Sequence, residues 1–211
     1  LRYSNAGTHD GRPFDLVIQS TSSYARGNDE SGCKAKFAWA KAFGKIALRR
    51  SQEASFIASF QDSDTKEPVT LPAFWFTFFD IDAGCHADWK EQIQVVGSTR
   101  YLVEPGSYLD APSTEEKDGW FQASKRWCPR GGSAGDNPTD PMALTTVQKR
   151  LSVSFEFLST SQFSFSLRSG VPGAQADDSQ GAGFFFGGVT NMVCPLGDVT
   201  VGDPARIESR Q

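Results

Sequence analysis

The chain has 211 residues, a formal net charge of −4 and a pI near 5.2, with lysines and arginines scattered rather than gathered into a stripe. That balance lacks the basic footprint of a nucleic-acid binder, so the sequence predicts no nucleic-acid partner. The longest strongly apolar run, Phe74 to Ile81, is far shorter than the roughly 20 residues a membrane-spanning helix needs, and no membrane insertion is expected.

The length suits one large β-domain or two small ones, and with no sharp internal boundary residues 1–211 are read as a single disulfide-linked unit. Four widely spaced cysteines, Cys33, Cys85, Cys128 and Cys194, contain no Cys-x-x-Cys pair. An even set of this kind predicts two disulfides in a secreted or cell-surface module. A Cys33–Cys194 bond would tie the two ends of the fold together and leave Cys85 with Cys128, but all three pairings stay open. The chain starts at Leu1 without a methionine or signal region, as expected of a processed secreted protein or a fragment. Its one Asn-x-Thr match, Asn137-Pro138-Thr139, carries a proline that disqualifies it for glycosylation.

In chain order, Lys34 to Phe43 reads as a strand on the alternation of Phe37 and Trp39, against the helix preference of its alanines and lysines. Clearer alternation follows at Phe56, Ala58 and Phe60, then at Phe74, Phe76 and Phe78, at Ile93 and Val95, and at Tyr101 and Val103. It resumes at Leu151, Val153, Phe155 and Phe157 and at Phe163, Phe165 and Leu167, which read as a hairpin turning at Ser159 to Ser161. Period-two burial of aromatic and branched residues marks strands with one face in a core. One short helix is expected after Asp140, with Asp140 as its cap and Pro141 in its first turn. Phe184 to Phe186 and Val189 to Cys194 read as another buried strand. Long loops rich in Gly, Pro, Ser and Asp separate the runs, so the expected fold is all-β, a two-sheet antiparallel sandwich of the jelly-roll type.

Acidic turns form the first candidate site. Asp62 and Asp64 share one turn, and Asp80 and Asp82 end an aromatic strand. Residues two apart in an extended chain project to one side, so the two pairs are expected to supply a calcium shell if their strands are neighbours. The simpler alternative is that each aspartate bonds its own turn backbone. Cys85-His86-x-Asp88 has the residue types of a nucleophile or zinc site, but adjacent strand residues face opposite ways and a disulfide-held cysteine neither attacks nor ligates. Glu156 would need a facing carboxylate roughly 5–10 Å away to hydrolyse glycosides, and no partner stands at a recognisable offset.

Aromatic residues form the second candidate site. Trp120 and Trp127 bracket Lys125 and Arg126, which makes Gly119 to Cys128 the preferred binding loop. A flat ring there would stack on the apolar C–H face of a sugar, with core packing as the alternative role.

The segment Asp62 to Pro68, followed by Phe74-Trp75-Phe76-Thr77-Phe78-Phe79-Asp80-Ile81-Asp82 and later by Asp136 to Met142 before another aromatic strand, resembles β-sandwich modules of secreted and cell-surface proteins of microalgae and other protists. The resemblance runs from Phe14 to Cys194 and implies an extracellular structural or recognition role. The expected function is therefore a non-catalytic module of a surface assembly. Its expected partners are other extracellular proteins, glycans or further copies of itself, with a lectin-like domain as the alternative and a polysaccharide-active enzyme as the third reading.

Overall fold

The computed structural model describes residues 1–24, 43–83, 90–113, 118–123, 137–141, 143–170, 181–188, 190–193 and 204–209. Its strands are β1 (Arg2–His9), β2 (Arg12–Ser20), β3 (Gly44–Arg49), β4 (Gln52–Asp62), β5 (Leu71–Phe79), β6 (Glu91–Val96), β7 (Arg100–Val103), β8 (Leu109–Asp110), β9 (Trp120–Ala123), β10 (Val153–Thr160), β11 (Gln162–Ser169), β12 (Gly181–Gly188), β13 (Thr190–Val193) and β14 (Pro204–Ser209), with a short helix α1 (Thr146–Arg150) before β10. They form two sheets, a nine-stranded one ordered β13-β14-β1-β2-β4-β11-β6-β9-β8 and a five-stranded one ordered β3-β12-β5-β10-β7. Early and late strands interleave in both, as β4-β11-β6-β9 against β3-β12-β5-β10. This is the double Greek key of a jelly roll. The pairing is antiparallel except between β1 and β14, which run parallel.

The predicted alternation is what closes the sandwich. Phe56, Ala58 and Phe60 of β4 and Phe163, Phe165 and Leu167 of β11 point inward from one sheet. Phe74, Phe76 and Phe78 of β5, Phe155 and Phe157 of β10, and Phe184 and Phe186 of β12 meet them from the other. Rings pack closely at this interface: Phe74 stacks on Phe157 with centroids 4.9 Å apart, Phe56 on Phe165 at 5.2 Å, and Phe157 lies 4.4 Å from Phe163. Each buried ring contributes on the order of 1.5–3 kcal/mol through the surface it removes from water.

Three local expectations change. The stretch read as one strand from Phe184 onward divides into β12 and β13, which belong to different sheets. β10 and β11 do not form a hairpin, because they belong to opposite sheets. Ser159 takes a left-handed φ of 49° and Ser161 accepts a backbone bond from Phe60, so the chain turns a corner between the layers. Alternation records which face of a strand is buried, and it reads the same whether two strands pair side by side or face to face. The helix begins later than expected, at Thr146, because Thr145 and Gln148 make a reciprocal capping box: the Gln148 N–H donates to Thr145 Oγ1 (3.3 Å) and the Thr145 N–H to Gln148 Oε1 (2.9 Å). Asp140 instead starts a turn whose carbonyl accepts from the Ala143 N–H. The strand expected over Lys34 to Phe43 lies outside the described residues up to Phe43, which is buried just ahead of β3.

Candidate functional site

The inward alternation of β4, β6, β9 and β11 fixes a second set of positions on the outer face of the larger sheet. Registers Gln92↔Gln122, Arg168↔Gln92 and Arg168↔Glu53 align one row across four strands. Registers Gln94↔Trp120, Ser166↔Gln94 and Ser166↔Ser55 align the next. Side chains within the rows are bonded to one another. Gln92 Nε2 donates to Gln122 Oε1 (2.8 Å), Arg168 Nη1 to Gln92 Oε1 (3.1 Å), and Arg168 Nε and Nη2 both to Glu53 Oε2 (3.0 and 2.7 Å). The Ser55 and Ser166 hydroxyls lie 2.9 Å apart, and Gln94 Nε2 donates to the Asp118 carbonyl (2.7 Å). Arg168 also reaches diagonally over Trp120, its guanidinium carbon 4.0 Å from the ring centroid. The face is thus a pre-ordered array of amides and hydroxyls around one partly exposed indole.

Trp120 therefore lies on strand β9 rather than in a loop, with Phe121 beside it in the core. Trp127, the rest of the expected binding loop beyond Ala123, and Trp89 lie outside the described residues. So do all four cysteines, Cys33, Cys85, Cys128 and Cys194, and with them the disulfide expectation and the Cys85-His86-x-Asp88 segment.

The four aspartates expected to share a cation are not brought together. Asp62 ends β4 beside the turn that enters β5, whereas Asp80 and Asp82 follow the far end of β5, roughly 25–30 Å away at the usual rise per residue. Asp62 Oδ1 accepts from the Asp64 and Thr65 N–H groups (2.9 and 2.8 Å), and these bonds hold its pKa below the usual aspartate range. Asp80 takes a left-handed φ of 60°, which breaks the extended geometry that was to align it with Asp82. Among the described residues no group of three or more His, Cys, Asp or Glu side chains is arranged to hold a metal ion.

Two buried carboxylates stand beside these turns. Asp15 of β2 accepts from Arg2 Nη1 (2.6 Å), the Asn5 N–H (3.1 Å), Ser63 Oγ (2.6 Å) and Lys66 Nζ (3.0 Å), so it ties the irregular β1 to the β4–β5 turn. Burial is the largest influence and pushes its pKa up, but the four bonds together outweigh it and hold the carboxyl below its usual range. Glu91, at the start of β6, is buried next to Asp82, exchanging bonds with its backbone (2.8 and 3.4 Å). Burial, then the charges of Asp82 and Asp80, push its pKa well above the usual range, against smaller opposing effects from the Asp82 N–H bond and then Lys45. Glu156 faces outward from β10 and is held by Arg100 in a two-bond pair (2.6 and 3.0 Å), cross-strand from Trp75.

The fold and this face define the chain as a jelly-roll sandwich with a polar outer platform. No protein-family model matches it, and no curated protein matches it. Among solved structures it is similar to the adhesin domain of PrgB from Enterococcus faecalis bound to DNA, with 13% identity and a TM-score of 0.47 over 83% of this chain and 62% of that one. A second structure of the PrgB adhesin domain matches with 13% identity and a TM-score of 0.43 over 84% and 58%. The chain therefore spans less than two thirds of the length of either. The charge-based exclusion of nucleic acid does not stand beside a DNA-bound adhesin domain. Net charge sums over a whole chain, whereas a DNA contact needs only a local cluster of arginines and lysines.

Proposed function

We propose that the chain is a non-catalytic recognition module of a cell-surface or extracellular assembly, and that it takes a glycan across the outer face of its larger sheet. The observation that carries this reading is the Trp120–Arg168 stack set within two bonded rows of glutamine and serine side chains. A sugar chain alternates hydroxyls with C–H patches. Amides and hydroxyls serve the first as both donor and acceptor, and the apolar surface of the indole serves the second. Because the side chains already hold one another in place, little conformational freedom is left to lose when a ligand settles on them. The surface setting is supported by the resemblance of residues 14–194 to secreted and cell-surface modules and by the adhesin architecture of the PrgB domain.

The test is a glycan array probed with the wild-type chain and with Trp120→Ala and Arg168→Ala, with a salt-titrated DNA duplex as a separate probe. The reading expects a glycan signal that falls at least about tenfold, about 1.4 kcal/mol, in each variant. No glycan signal, or a signal indifferent to both substitutions, would overturn it. So would salt-dependent duplex binding that ignores Trp120 and is the only binding seen.

A further inference from the structure

We propose that β7 is the contact through which two copies of this chain pair, edge to edge and antiparallel, about a two-fold axis at Leu102. Among the described residues β7 is an edge strand of the five-stranded sheet, with β3 at the other edge. An outermost strand leaves one row of backbone N–H and C=O groups without a ladder partner, a template for another strand. Among the described residues, four large hydrophobic side chains are exposed, and two of them sit in this four-residue strand: Tyr101 at 39% and Leu102 at 55%. A third, Leu158 at 48%, is on the adjoining β10.

What selects a second copy over a foreign strand is the self-complementary run Arg100-Tyr101-Leu102-Val103-Glu104. Reversed about Leu102, it sets Arg100 against the other copy's Glu104 twice, Tyr101 against Val103 twice, and Leu102 against Leu102. Directly opposed residues in an antiparallel pair sit about 4.5–5.5 Å apart at Cβ, close enough for every one of these pairs to touch. Arg100 uses Nε and one Nη on Glu156, which leaves its second Nη for the incoming carboxylate. A slip of one residue would put inward-facing Tyr101 against outward-facing Leu102 and turn one sheet over, so the pattern fixes the register as well as the partner. In the centred register the inner face stays continuous from copy to copy. Tyr101, edge-on to Phe121 with centroids 4.7 Å apart, gains cover at the seam. The two five-stranded sheets become one of ten strands. The contact is small, so the association is weak and concentration-dependent. It lies on the other sheet from the proposed glycan face and does not rest on that reading.

Sedimentation equilibrium of the full chain between about 10 μM and 1 mM tests the pairing, the upper limit corresponding to an association of only about 4 kcal/mol. A monomer–dimer equilibrium is expected, abolished by Leu102→Asp and weakened at least about tenfold by Glu104→Arg, which opposes like charges. Leu102 is exposed and Glu104, just beyond the strand, is partly exposed, and thermal melting confirms that the variants fold. In mild oxidant Leu102→Cys should give a 102–102 linked peptide by mass spectrometry, whereas Ser98→Cys should give no 98–98 link. A chain that stays monomeric to 1 mM, a dimer that survives Leu102→Asp, or a dimer without the 102–102 link would each overturn the proposal.

Discussion

Asp15 accepts four hydrogen bonds with almost all of its surface removed from water, and Glu91 is as deeply buried beside Asp80 and Asp82. The two carboxylates bias stability in opposite directions. Asp15 has a folded-state pKa below its unfolded one, so its contribution is present above the unfolded value and is lost as the pH falls through the folded value. Asp15→Ala strands the Asn5 N–H and separates Ser63 and Lys66 from their acceptor. It is expected to cost about 2–3 kcal/mol at neutral pH, read by denaturant unfolding, and less in acid. Glu91 has a raised folded-state pKa, so the native chain binds a proton that the unfolded chain releases. Stability should fall as the pH rises above the ordinary glutamate range toward the raised value, with a slope of up to about 1.4 kcal/mol per pH unit. Glu91→Gln should flatten that slope, and a slope unchanged in the variant would contradict the assignment. Asp15 was hard to see in the sequence because a lone acid between Phe14 and Leu16 looks like an ordinary outward residue. Arg2 and Asn5 of β1 together with the Ser63–Lys66 turn close over it.

The strands were legible wherever aromatic residues alternate, as in β4, β5, β10 and β11, because each of those runs has one face in the core and one in solvent. Phe163 shows what such a position carries. It lies 4.4 Å from Phe157 and 5.0 Å from Phe76, centroid to centroid, joining β11 to β10 and β5 of the opposite sheet. Phe163→Ala should cost about 3–5 kcal/mol in equilibrium unfolding, and a loss below about 1 kcal/mol would mean that the two layers do not meet there. Other elements were not read, although signals existed. β1 and β2 join at Asp10-Gly11, whose left-handed φ values of 50° and 75° suit the Asp-Gly hairpin turn. β3 hides its period because Lys45 and Ala47, on the side away from the core, are buried as well. Trp120 reads as a loop residue in the sequence but lies on β9, since a four-residue strand is too short to show periodicity. Arg168, Gln92 and Gln94 carry no signal of their own in the sequence. Their meaning appears only once β6 and β11 are known to be neighbours, which is a property of topology and not of local pattern.

At the scale of the whole molecule, interleaving early and late strands in both sheets separates the chain's surfaces into roles. The inner faces are aromatic and close the core. The outer face of the nine-stranded sheet is a bonded polar platform, and one edge of the five-stranded sheet carries the self-complementary β7. A pair formed through β7 would present two platforms at once, and linked sites raise avidity without any new contact. The platform is the central claim, and side-chain NMR of the chain with a glycan selected on the array tests it most directly. Trp75 provides an internal control, because its indole sits under Arg100 on the opposite outer face, 5.4 Å from ring centroid to guanidinium carbon. The account predicts that the Trp120 indole N–H and the side-chain amides of Gln92, Gln94 and Gln122 shift on titration while the Trp75 indole stays in place. Shifts at Trp75 with a silent Trp120 would contradict it.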